Sequence, residues 1–106
     1  MSARMWILTT DDAALDPPVI IRLPTSAART VGRANLSDFI LDAAMVSKVH
    51  CRLVTDARGD LTVEDLDSTN GTFVNDRRVR TAPLAAGDRL RVGRVELSVE
   101  RAVTES

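Results

Sequence analysis

An all-β domain is expected from this sequence on three grounds. Apolar and polar residues alternate near the end of the chain, where Leu90 and Val92, then Val95, Leu97 and Val99 stand against Glu96, Ser98 and Glu100. Such period-two patterning gives a strand one buried face. All five glycines, at 32, 59, 71, 87 and 93, fall where turns are expected on other grounds, and helical periodicity nowhere exceeds two turns. Many short strands separated by polar turns imply a sandwich or a barrel.

Taken in order, residues 5–10 are apolar and β-branched and close at Asp11-Asp12, which reads as a first strand and a polar loop. Trp6 is assigned to the core. Pro17-Pro18 and Pro24 bracket Val19-Ile20-Ile21-Arg22-Leu23, a strand placed at an edge because proline cannot donate to a ladder. A short strand over 29–33 runs into the Gly32-Arg33 turn, 34–37 form a loop, and Phe39-Ile40-Leu41 is the next strand. Residues 42–45 lack a second apolar helical turn and are assigned to a loop. Over 49–55, Val49, Cys51 and Leu53 should share one face, with His50, Arg52 and Val54 on the other. Residues 56–60 make a hairpin connection to a strand over 61–66, and 72–74 resume a strand after the next loop. Asn75-Asp76 is a tight turn into 77–80. The polar tail 101–106 is expected to fray.

With 106 residues the chain has room for one domain, spanning 1–106 with a core over about 5–100. Its 44% hydrophobic and 27% charged residues are ordinary globular values. A net charge of −1 does not point to a polyanion, and Trp6, Phe39 and Phe73 are too few aromatics for a nucleic-acid stacking platform. The arginines at 77, 78, 80, 89, 91 and 94 read as a solvated face paired with Glu96 and Glu100. Cys51 is the only cysteine, so no intrachain disulfide is possible and a reduced cytoplasm fits. The run Trp6-Ile7-Leu8 is too short for a signal-peptide core or a membrane span.

The stretch with most chemistry is Asp67-Ser68-Thr69-Asn70-Gly71-Thr72-Phe73-Val74-Asn75. Asp67, Ser68, Thr69 and Asn70 can bond back to nearby backbone, and Gly71 supplies the positive φ of a tight reversal. Such a loop presents hydroxyls and amides on a rigid frame, suited to an extended peptide or an anion. Catalysis is not expected. Ser47 and His50 lie close in sequence, but there is no G-x-S-x-G elbow and a single histidine leaves no spare base. His50 and Cys51, pointing to opposite faces of a regular strand, would not share a metal. No cofactor is called for.

Upstream of this loop stand Val31-Gly32-Arg33 and Val46-Ser47-Lys48-Val49-His50. Together the three segments give G-R, S-K-x-H and S-T-N-G-T-x-x-N in order, and the sequence here resembles the forkhead-associated (FHA) domain. The likeness extends through Asp38-Phe39-Ile40-Leu41 and the run from Leu84 to Gly93, covering roughly residues 19–100. It implies a two-sheet antiparallel β-sandwich of about ten to eleven short strands with binding loops at one end. It also implies a phosphothreonine-peptide binding module whose partner is a Ser/Thr kinase substrate, with neither nucleic acid nor membrane. By the same resemblance, Arg33 and Ser47 contact the phosphate, Lys48 adds a cation, Thr69 lines the phosphothreonine site and Asn70 bonds the peptide main chain. Gly32, His50, Gly71 and Asn75 support the site, and Met45 flanks the pocket for the third residue after the phosphothreonine. The alternative is a phosphate-independent protein-interaction domain using the same loops.

Overall fold

The computed structural model describes residues 2–11 and 15–105. They form eleven strands: β1 (Ser2–Thr10), β2 (Ile20–Leu23), β3 (Ala28–Gly32), β4 (Phe39–Ile40), β5 (Cys51–Thr55), β6 (Leu61–Asp65), β7 (Thr72–Val74), β8 (Arg77–Val79), β9 (Thr81–Leu84), β10 (Arg89–Val92) and β11 (Val95–Glu105). One sheet has six strands in the order β2-β1-β11-β10-β7-β8, the other five in the order β4-β3-β5-β6-β9.

Alternation along the strands turns one face of each sheet inward. Leu90, Val92, Val95, Leu97 and Val99 are all buried, and they meet Val31, Cys51, Leu53, Leu61 and Val63 in one core cluster. Burying one such side chain stabilises the fold by about 1.5–3 kcal/mol, so this cluster is the main source of stability. Trp6 belongs to it, and its indole N–H donates to the Gly59 carbonyl at 2.7 Å. Thr55 is the other buried link: its hydroxyl donates to the Pro24 carbonyl at 2.6 Å and accepts from the Ala27 amide at 2.9 Å. Among the described residues no buried side-chain polar atom is left without a partner.

The edge position of β2, the loop over 42–45 and the 56–60 connection agree with the sequence reading. So does the tight turn at Asn75-Asp76, where both residues have positive φ, 48° and 67°. Of the polar closure expected at Asp11-Asp12, the second residue lies outside the described ones.

Five expectations need correction. The chain from Arg101 does not fray but continues β11 to Glu105, in a ladder running from Ser2↔Glu105 to Thr10↔Leu97, because β1 supplies backbone partners along the whole length. The sandwich is not wholly antiparallel. β4 runs parallel to β3, with Val31 opposite Phe39, since Asp38 accepts from the Thr30 amide at 2.8 Å and so draws the returning chain alongside. β9 was not anticipated; it contains Pro83, which is tolerated because β9 is an edge strand paired only with β6. The strand expected over 49–55 begins at Cys51, and His50, expected within it on the face opposite Cys51, is fully buried just ahead of it. Finally, the ion pairing expected of the arginines holds at Arg89, which meets Glu96 at 2.8 Å, but not at Arg91, the cross-strand neighbour of Glu96, which stacks on the Phe73 ring at 3.9 Å.

Candidate functional site

At one end of the sandwich four connections converge: 33–38 after β3, 41–50 after β4, 66–71 after β6, and the β10–β11 turn at Gly93-Arg94. Leu41 and Val46 anchor the second of them in the core, and directional bonds join the loops to one another. The Arg33 amide donates to the Ser47 carbonyl at 2.9 Å and the Ala34 amide to the Lys48 carbonyl at 3.0 Å, tying the first loop to the second. Ser37 adds a hydroxyl bond to the same Lys48 carbonyl at 2.9 Å. Gly32 makes this approach possible, because a Cβ there would overlap the Lys48 carbonyl oxygen and stand 2.5 Å from the Ser37 hydroxyl.

The second and third loops meet around His50. Its Nδ1 accepts from the Ser47 amide at 3.0 Å, so that nitrogen carries no proton, and its Nε2–H donates to the Gly71 carbonyl at 2.8 Å. The neutral ring is the form that satisfies both partners, and burial lowers its pKa below the usual histidine value, with the Gly71 bond and Asp65 opposing. Further links are the Thr69 amide on the Ser47 hydroxyl oxygen at 3.1 Å, the Asn70 side-chain amide on the Met45 carbonyl at 3.0 Å, and the Gly93 amide on the Gly71 carbonyl at 3.2 Å.

Inside the third loop the organising residue is Asp65, which sequence reasoning missed. Its carboxylate accepts from the Ser68 hydroxyl at 2.5 Å, the Ser68 amide at 3.1 Å and the Thr72 hydroxyl at 2.7 Å. Burial raises its pKa, but the Ser68 and Thr72 bonds outweigh that and hold it below the ordinary carboxylate value. Ser68 in turn accepts from the Gly71 amide at 3.0 Å, and Gly71 itself sits at φ +92°. The signal was the spacing of Asp65 three residues ahead of Ser68, hidden because Asp65 also ends a strand.

The result is a fixed cluster of donors. The Nε–H of Arg33 is spent on the Val46 carbonyl at 3.1 Å, which anchors the exposed side chain and leaves its two terminal nitrogens as a fork for a ligand. The Ser47 hydroxyl oxygen already accepts a bond, so its own proton is available to a ligand. Exposed Lys48 and Thr69 flank these two, and half-buried Asn70 and Met45 follow along the rim. Among the described residues neither Arg33 nor Lys48 has a carboxylate within salt-bridge distance. A fork, an ammonium and a hydroxyl on a rigid frame match an oxyanion with several acceptor oxygens. Asn75 is not brought into this cluster: it lies at the far end of β7, donating to Asp88 at 3.1 Å and accepting from the Arg89 amide at 2.9 Å.

Neither His50 nor Cys51 is placed for covalent chemistry. Both nitrogens of His50 are engaged by backbone, and burial pushes the Cys51 thiol up to about 12. Among the described residues no group of three His, Cys, Asp or Glu side chains could hold a metal, and no helix is long and apolar enough to cross a membrane.

The family model for the FHA domain matches residues 29–93, which include the first three loops of the cluster and reach Gly93 of the fourth. The chain belongs to the FHA domain family. Over 75 residues this FHA domain is 40% identical to the ABC transporter ATP-binding/permease protein Rv1747 of Mycobacterium tuberculosis, covering 71% of this chain and 8% of that protein. Over 74 residues it is 39% identical to the glycogen accumulation regulator GarA of Mycolicibacterium smegmatis, covering 70% of this chain and 44% of GarA. The chain thus spans less than half the length of these curated relatives. Among solved structures, one from a study of phosphothreonine-dependent FHA domain interactions superposes with a TM-score of 0.78 at 31% identity, covering 92% of this chain and 95% of that one. The FhaA FHA domain complexed with the intracellular domain of Rv3910 gives 0.79 at 32% identity, covering 90% and 99%.

Proposed function

We propose that this FHA domain is a phosphothreonine-dependent protein-interaction module that binds a partner after a Ser/Thr kinase has marked it. The observation that carries the reading is the Arg33 fork, oriented by the Val46 carbonyl, beside a Ser47 hydroxyl keyed to the Thr69 amide. In this reading Arg33, Ser47 and Lys48 hold the phosphate and Thr69 lines the threonine side. Asn70, whose amide nitrogen is occupied by Met45, offers its Oδ1 to a peptide amide. Met45 borders the pocket for the third residue after the phosphothreonine. Gly32, His50 and Gly71 keep the loops in place, and Asn75 acts at one remove by fixing the start of β10.

The relatives support the class of partner. The FhaA domain is complexed with the intracellular domain of another protein, and phosphothreonine dependence is a stated property of a structural neighbour. The role is recognition without catalysis, by one domain spanning 1–106 that works in the cytoplasm on a phosphorylated kinase substrate.

Calorimetric titration with a phosphothreonine peptide and its unphosphorylated twin tests the proposal. Binding confined to the phosphorylated peptide is expected. Equal binding of the two would favour the phosphate-independent alternative.

A further inference from the structure

Beside the loop cluster, the outer face of the six-stranded sheet carries arginines that form no ion pair among the described residues, although Asp65 and Asp67 line a shallow cavity with Arg78. In one cross-strand row Arg78 lies opposite Phe73 and Phe73 opposite Arg91, whose guanidinium stacks on the ring at 3.9 Å. Arg78 reaches toward the central loop: a Cβ added at Gly71 would stand 2.8 Å from its Nε. Arg94 follows Gly93, which is so close to Met45 that a Cβ at Gly93 would overlap the Met45 carbonyl oxygen. The row therefore begins where the rim of the loop cluster ends.

Ion pairs do not explain these arginines. Glu96, the acid in the same row, is held by Arg89, and among the described residues Arg78, Arg91 and Arg94 have no carboxylate within salt-bridge distance. Arg78 and Arg94 are exposed, while Arg91 and Phe73 are half-buried. Arginine around an aromatic ring is the composition enriched where proteins bind other proteins. A stacked guanidinium also keeps N–H groups at its edge for a carboxylate; Arg91 uses one of them in a long bond to the Gly93 carbonyl at 3.4 Å, and the others remain.

We infer that the Arg78–Phe73–Arg91 row, with Arg94, is a second contact surface that takes an acidic segment of the same phosphorylated partner, downstream of its phosphothreonine. This rests on the phosphothreonine reading. It extends that reading from the loops to the sheet, and it makes the preferred ligand a phosphothreonine followed, past the residues near Met45, by Asp or Glu. The overall charge of −1 makes a local acidic segment a better fit than a long polyanion.

The test uses two phosphothreonine peptides that differ only in a tail placed beyond the third residue after the phosphothreonine, glutamates in one and glutamines in the other. Both are titrated at low and at high salt into the native protein, into Arg78→Gln/Arg91→Gln, and into a charge-matched control, Arg22→Gln/Arg58→Gln. The glutamate tail should tighten native binding about five- to tenfold at low salt, as a few exposed charge pairs do, and less at high salt. The gain should vanish in Arg78→Gln/Arg91→Gln and survive in the control, with the glutamine-tailed peptide bound alike by all three. Equal affinity of the two peptides for the native protein would overturn the inference while leaving the phosphothreonine reading intact, as would a gain that persists without Arg78 and Arg91. A gain lost equally in the control would reduce it to net charge and overturn it too. Failure of the glutamine-tailed phosphopeptide to bind would sink the phosphothreonine reading and this inference with it. Binding of unmodified duplex DNA that is lost in Arg78→Gln/Arg91→Gln would reassign the face to nucleic acid.

Discussion

The β10–β11 hairpin and the loop cluster at the end of the sandwich are held together by different physics. In the hairpin, Leu90, Val92, Val95, Leu97 and Val99 contribute through buried apolar area, which is non-directional and tolerates exchange among residues of similar size. In the loop cluster the links are single hydrogen bonds with fixed geometry: Ser47 to His50, His50 to Gly71, Ser68 to Asp65, Asn70 to Met45. Each depends on one donor and one acceptor. Substitution in the hairpin should therefore cost stability with binding chemistry preserved in what remains folded, and substitution in the cluster should cost recognition first.

The largest expected effect on the hairpin side comes from Leu97→Ala. Removing a fully buried leucine should destabilise the fold by about 2–5 kcal/mol, measured by urea denaturation, with unchanged phosphopeptide affinity at temperatures where the variant is folded. A loss of affinity in the folded variant would blur the comparison by coupling core packing to the loops. On the loop side, phosphothreonine should be preferred over phosphoserine by roughly 10- to 200-fold, the range for filling a methyl-sized pocket in a preformed site. Matched peptides read this directly, and equal affinities would mean that the Thr69-Asn70-Gly71 segment is not fitted to the ligand.

His50 is fully buried and ties the second loop to the third, so His50→Ala should lower both stability and affinity. Leaving the Ser47 amide and Gly71 carbonyl without their buried partner costs about 1–3 kcal/mol, detectable as a lower melting temperature alongside weaker binding. Normal melting with abolished binding would instead make His50 a direct ligand contact. The smallest effect expected is that of pH. Because the folded-state pKa of His50 is depressed, the unfolded chain takes up a proton first as pH falls through about 6.5. Stability contributed by the neutral ring should be intact above that value and decline below it, until the folded-state pKa is reached. Asp65 adds a second decline at lower pH, once the unfolded carboxylate near 3.8 is protonated before the folded one. Denaturation midpoints of His50→Gln against native protein across this range isolate the histidine contribution.

The same contrast explains what could be seen in the sequence. Period-two alternation and turn chemistry depend on nearest neighbours, so β10, β11, the Asn75-Asp76 turn and the reversal at Gly71 were legible. The loop motifs were legible as a family pattern, and the structure brings Arg33, Ser47, Lys48, Thr69, Asn70 and Met45 to one end. What escaped depends on distant partners. The extension of β11 needs β1, β9 needs β6 to make an edge for Pro83, and the parallel β4 needs the bond from Asp38 to Thr30. By counting residues His50 falls on the face opposite Cys51, but the strand starts only after it, at Cys51, and its buried ring is bonded to Ser47 and Gly71. Asp65 reads as the end of a strand, yet it orders the whole central loop. The arginines read as a solvated, paired face. Only the side-chain contacts reveal that Glu96 is held by Arg89 and not by its register partner Arg91, which lies on Phe73.

The separation of recognition from stability is tested most directly by Arg33→Ala, with phosphopeptide affinity and thermal melting measured on the same preparation. Arg33 is exposed on a loop and its fork points away from the core, so melting should stay near the native value. Loss of a bidentate, charge-assisted contact should weaken binding by about 2–5 kcal/mol. Near-native affinity for the phosphothreonine peptide in a folded Arg33→Ala protein would contradict the account, because the phosphate would then be held elsewhere or not at all.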